Sequence, residues 1–154
     1  MTFIPDRATS LLVEERASME NWDAFIQAAS KAIEKDLKDE GKAYKLKLAY
    51  EELISNIIKA SANAESNREV NLKISCGIST NKNNNEKTFT LQTEDNGIQF
   101  DPGFSKESDV DVNQDINERA IGGLGIFLIK ESVDIASYAW INGRNTNQLS
   151  MRMD

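Results

Sequence analysis

Apolar positions in this chain recur at two different spacings, and the change of spacing marks out its elements. Over residues 18–38, Trp22, Ile26, Ala29, Ile33 and Leu37 recur every three or four positions. That spacing predicts an amphipathic helix with Ser18 as its N-cap and Gly41 as its stop. Over residues 43–62, Leu46, Ala49, Leu53, Ile57 and Ala60 form a second helical stripe. The period then shortens. Val70, Leu72, Ile74, Cys76 and Ile78 alternate with polar neighbours, as do Phe89, Leu91 and Thr93, and the polar run 81–86 between them reads as an exposed hairpin loop. Residues 10–14 suggest a short first strand, and a third helix follows Gly125. A last hairpin pairs residues 135–141 with 148–153 through Asn142-Gly143-Arg144-Asn145. The order is strand, two helices, two strands, a long loop, a helix and two strands. Hairpin-joined strands predict an α+β fold: a mixed, mostly antiparallel sheet with about three helices on one face, not a doubly wound parallel sheet.

Composition narrows the class. A chain of 154 residues with 40% apolar content suits one compact core, so a single domain over 1–154 is expected. No apolar run is long enough to span a bilayer and no signal-peptide pattern opens the chain, which predicts a cytoplasmic protein without membrane contact. The single cysteine, Cys76, excludes an internal disulfide, and the absence of histidine argues against a zinc site. Cys76 itself reads as a small core residue. A net charge of −7 leaves no basic surplus for phosphate neutralisation, so direct nucleic-acid binding is not expected.

Candidate chemistry sits in three stretches. On the second helix Glu52, Asn56, Lys59 and Asn63 share one face at i, i+4, i+7 and i+11. Alone, such a stripe reads most simply as a solvated helix face. Read as chemistry, Asn56 offers a hard oxygen for Mg²⁺, Lys59 can meet phosphate charge, and Glu52 can accept a proton from a hydroxyl. Asp95, just past an alternating strand, can accept a hydrogen bond from an exocyclic amine, and Gly97 would let a flat base approach the backbone. Asp95-Asn96-Gly97 taken alone is an ordinary turn tripeptide. Gly122, Gly123 and Gly125 stand at the mouth of a helix, where free N–H groups and the positive dipole end attract anions. Close packing is the alternative there, but the glycines would otherwise weaken the helix start by up to about 1 kcal/mol each. Both commonest nucleotide motifs, the P-loop and the dinucleotide fingerprint, are absent. From Pro102 to Ala120 the chain shows no period and carries five acidic residues, a length that suggests a lid or a solvated excursion. Asp109-Val110-Asp111-Val112-Asn113 opens like a calcium loop. Gln114 and Ala120 occupy its glycine and glutamate positions, so calcium is not expected.

The sequence of helix-borne Glu52-x-x-x-Asn56-x-x-Lys59, strand-end Asp95-Asn96-Gly97, variable lid and Gly123-Leu124-Gly125 resembles the GHKL superfamily of gyrase, chaperone, histidine-kinase and MutL-type ATPases. Within it, Asp95-Asn96-Gly97-Ile98-Gln99-Phe100-Asp101-Pro102, Ile121-Gly122-Gly123-Leu124-Gly125-Ile126, Val133-Asp134 and the carboxy-terminal hairpin resemble the anti-sigma-factor serine kinases of bacterial partner switching.

That resemblance implies a two-layer α/β sandwich of the Bergerat type, with a lid at about 102–121. It implies ATP and Mg²⁺ as cofactors, Glu52 as general base toward a serine hydroxyl, and Asn56 as the Mg²⁺ ligand. Lys59 would assist the phosphates, Asp95 would recognise the adenine amine, and Gly97 would line the base pocket. Gly122, Gly123, Leu124 and Gly125 would meet the phosphates, and Arg119 would add charge from the lid. Gln99 stands where many members carry a second glycine, which bears on the lid hinge more than on adenine. The implied activity is serine/threonine phosphorylation of an anti-anti-sigma protein, combined with sequestration of a sigma factor by a homodimer. A non-catalytic ATP-binding switch shares every core feature and stays open. A detached histidine-kinase catalytic domain is disfavoured, because the chain has no phosphoacceptor histidine or dimerising helical hairpin and opens at its own Met1.

Overall fold

The structure, a computed structural model, describes residues 10–62, 69–105 and 123–153. Its elements are β1 (Ser10–Arg16), a 3-10 turn (Met19–Asn21), α1 (Trp22–Asp36), α2 (Glu40–Ala62), β2 (Asn71–Thr80), β3 (Lys87–Asp95), α3 (Gly123–Ser132), β4 (Ile135–Ile141) and β5 (Arg144–Arg152). The five strands form one sheet in the order β1-β2-β3-β5-β4. Every pairing is antiparallel, so the mixed component allowed by the sequence is absent among the described strands.

Local chemistry explains where the elements begin and end. The Ser18 hydroxyl accepts from the Glu20 N–H, but it opens the 3-10 turn, and α1 starts later than its periodicity suggests. Gly41 is not the stop of α1. The chain leaves α1 at Leu37, which is extended, and Asp39 then caps α2: its carboxylate accepts from the Lys42 N–H at 3.0 Å, placing Gly41 inside the first turn. The α2 stripe also drifts from the expected line. Leu46, Ala49 and Leu53 are buried as expected, Tyr50, Ile54 and Ile58 join them, and Ala60 is exposed. The Tyr50 hydroxyl donates to the Phe25 carbonyl at 2.8 Å, which ties α2 to α1 inside the core.

The last hairpin is tighter than expected. Asn142 and Gly143 both take positive φ (51° and 74°), the conformation of a two-residue turn matched to strand twist. Arg144 and Asn145 therefore belong to β5, opposite Ile141 and Trp140. One face of the sheet carries Leu72, Ile74, Cys76, Phe89, Leu91, Leu149 and Met151, all buried with the helices. Cys76 is thus a core residue, and burial pushes its thiol pKa up. The other face is polar and buried at its centre, with Gln148 Nε2 donating to Gln92 Oε1 and Gln92 Nε2 to Glu94 Oε1. Among the described residues no helix is long and apolar enough to cross a membrane.

Candidate functional site

Topology gathers the candidate residues at one end of the sheet. Few residues separate the end of α2 from the start of β2, where Leu72 lies opposite Asp95, so the second half of α2 approaches the Asp95 end. Asp95 is in turn opposite Asn145 on β5. α3 runs the other way. It delivers the chain to Asp134 and Ile135, whose partner is Ser150 near the far end of β5, so the amino end of α3 points back toward the Asp95 and Asn145 end of the sheet.

The strand side of this end is a closed hydrogen-bond cluster. Asp95 is 5% exposed, and its Oδ1 accepts from the Gly97 N–H at 3.0 Å and from Asn145 Nδ2 at 2.9 Å. Burial raises the Asp95 pKa, while the Asn145 and Gly97 hydrogen bonds and the nearby Arg144 charge pull it back. A Cβ at Gly97 would stand 3.0 Å from Asp95 Oδ1 and 3.5 Å from Val70 Cγ1. Gly97 thus serves first to let the turn fold onto Asp95 itself, a closer demand than the approach of a base. Asn96 Oδ1 accepts from the Asn71 N–H at 2.7 Å and fastens the turn to β2. Two register positions below, Thr93 and Asn147 face each other, and Thr93 Oγ1 and Asn147 Oδ1 are buried with no hydrogen bond to any described residue. A hydroxyl and an amide oxygen left unpaired beneath a carboxylate suit a bound water or the polar edge of a ligand.

The helix side is more open. Glu52 and Asn56 are half-buried on α2, and Lys59 is exposed one turn further on. A Cβ at Gly125 would stand 2.9 Å from Glu52 Oε2 and 3.6 Å from Asn56 Nδ2. A bare glycine is therefore what lets α3 seat its first turn against this carboxylate and amide. Gly123 and Leu124 open the same turn, where backbone N–H groups lack helical partners and the dipole end is positive.

The structure thus brings Glu52 and Asn56 against Gly125 and, separately, Gly97 against Asp95, with Lys59 exposed further along α2. Arg119, Gly122, Asn63, the calcium-like stretch at 109–113 and most of the expected lid at 102–121 lie outside the described residues. Asp134 has a structural use, its carboxylate accepting from the Arg152 N–H at 2.7 Å. Sequence reasoning missed Asn145, Tyr138, Thr93 and Asn147. The signal for Asn145 was the Asn-Gly pair, because a two-residue turn puts Asn145 back on a strand, opposite Asp95.

The donor set fits a nucleotide with its metal. Among the described residues no group of three or more acidic or thiol ligands could hold an ion by itself. A single amide oxygen on Asn56 instead suits Mg²⁺, which keeps waters and takes other ligands from phosphates. Residues 16–153 match the family described as the histidine kinase-like ATPase domain. Among curated proteins no match is found.

Proposed function

The chain belongs to the histidine kinase-like ATPase domain family, and from that premise we propose that it is an ATP-dependent serine/threonine protein kinase acting as a cytoplasmic anti-sigma factor. Its substrate in this reading is a hydroxyl of an anti-anti-sigma protein, and its second partner is a sigma factor, held by a homodimer of the chain. The observation that carries the reading is the seat of Glu52 and Asn56 against the first turn of α3, at the end of the sheet that also holds Asp95. A carboxylate beside a helix amino terminus and a metal-binding amide is what phosphoryl transfer to a hydroxyl needs in a chain without histidine.

Asp95 accepts the exocyclic amine of adenine and so orients the base. The α3 amino end and Lys59 bind the phosphates and neutralise their charge. Asn56 would hold Mg²⁺, which would supply charge stabilisation to the phosphate oxygens. Glu52 aligns the acceptor hydroxyl and takes its proton. The hydroxyl oxygen bonds to the γ-phosphorus, the bond from that phosphorus to the bridging oxygen breaks, and ADP leaves with that electron pair.

The test is incubation with labelled ATP, Mg²⁺ and candidate antagonist proteins encoded near the gene. One of them is labelled on serine or threonine, and the label is lost with Glu52→Gln. If ATP binds but no acceptor is labelled, or Glu52→Gln transfers as well as the native chain, the kinase reading fails and a nucleotide-binding switch replaces it.

A further inference from the structure

Asn145 uses its whole hydrogen-bonding capacity at the strand side of the site. Its Nδ2 donates to Asp95 Oδ1 at 2.9 Å and to the Ile98 carbonyl at 2.8 Å. Its Oδ1 accepts from the Tyr138 hydroxyl at 2.7 Å and from the Phe100 N–H at 2.8 Å. An amide offers two donor hydrogens and two lone pairs, and all of them are engaged. The orientation is also forced: a flipped amide would set an oxygen against a carboxylate and a carbonyl, and an NH₂ against the Phe100 N–H. The side chain is 4% exposed, so each lost partner would leave a buried polar group unpaired.

The consequence falls on Asp95. Oδ1 already holds two donors, Gly97 N–H and Asn145 Nδ2. Oδ2 makes no hydrogen bond among the described residues. The carboxylate is therefore fixed in one rotation, with one oxygen satisfied and the other presented. A presented carboxylate oxygen only accepts. It favours a base with a 6-amino donor over one with a 6-oxo acceptor or with no group there.

We propose that Asn145 is the positioning residue for base recognition, holding Asp95 so that its second oxygen reads the 6-amino group of an adenine nucleotide. The inference rests on the nucleotide reading of the site given above. Asn145 does not touch the base; it acts through Asp95, and Tyr138 acts through Asn145. The same amide anchors both ends of the 98–100 segment to β5, so carboxylate and turn are set together.

Binding of ATP and of purine riboside 5′-triphosphate, which lacks the 6-amino group, to the full chain by calorimetry tests this. The native chain is expected to prefer ATP by about tenfold or more, the worth of one charge-assisted hydrogen bond. Asn145→Ala brings the two affinities within about threefold of each other, chiefly through loss of ATP affinity. Tyr138→Phe removes one of the two donors to Asn145 Oδ1 and lowers the preference by a smaller factor, and it decides the matter if Asn145→Ala does not melt cooperatively. An unchanged preference in the folded variants, or an equal fall in both affinities, overturns the role of Asn145 while leaving nucleotide binding intact. A native chain that binds neither nucleotide overturns the functional reading and this inference together.

Discussion

The two sides of the site are built on opposite principles. On the strand side Asp95, Gly97 and Asn145 are buried, and hydrogen bonds tie them to each other and to the backbone, leaving Asp95 Oδ2 presented. On the helix side Glu52 and Asn56 are half-buried, Lys59 is exposed, and glycine spacing sets the approach of α3. Under the proposed kinase function the two sides would have different tasks. Recognition of a flat base gains from polar groups fixed in advance, because ordering them on binding would cost affinity. Transfer to another protein's hydroxyl requires an accessible carboxylate and room for phosphates, so rigidity there would exclude the acceptor.

Substitutions can separate the two sides. The largest expected effect is on the helix side, where Glu52→Gln lowers phosphate transfer roughly 100-fold or more while ATP affinity stays within about threefold. A parallel fall in affinity, measured by calorimetry beside the transfer assay, would make Glu52 a binding group and erase the contrast. Next comes Asp95→Asn. Its remaining oxygen can still accept from Gly97 and Asn145, but its amide presents a donor to the 6-amino group, so ATP affinity falls about 100-fold with little change in melting temperature. Retained affinity would show that the strand side does not read the base.

Gly125→Ala tests the seat of α3. The added methyl stands where Glu52 Oε2 lies 2.9 Å away, so the carboxylate shifts and transfer falls about tenfold. Alanine favours a helix over glycine by up to about 1 kcal/mol, so stability does not fall with activity. A normal transfer rate would mean that Glu52 has freedom to swing aside.

The smallest effect is a pH dependence. Burial raises the folded-state pKa of Asp95 above its ordinary 3.8. Between the unfolded and folded values the native state binds more protons, so this group's contribution to stability declines as pH rises through that acid window and levels off above it. Denaturant unfolding of the native chain and Asp95→Asn across acid pH should show the variant gaining relative stability as pH rises. A relative loss would mean that the hydrogen bonds from Asn145 and Gly97 outweigh burial.

Much of this was legible in the residues because local pattern carries it. The two-residue period of Leu72, Ile74 and Cys76 and the helical period of Ala29 and Ile33 report burial on one face, which depends only on backbone geometry. The Asn142-Gly143 pair signals its turn because few residues tolerate positive φ. Gly41 misled for a related reason. Glycine marks helix ends statistically, but here Asp39 provides the N-cap and the next helix runs through Gly41. Asn145 was hidden by a longer turn, since shifting the end of that loop moves the residue from solvent to the site.

The sequence by itself determined the elements, their order, the α+β class and the residue types suited to a nucleotide and its metal, because periodicity, turn chemistry and side-chain functional groups are local properties. Only the tertiary structure decided that Asn145 grips Asp95, that Gly97 is bare for the sake of the carboxylate beside it, and that Gly125 is bare for the sake of Glu52. Two of those facts join residues 50 and 73 positions apart in sequence, and packing between strands and helices creates them, which no local pattern encodes.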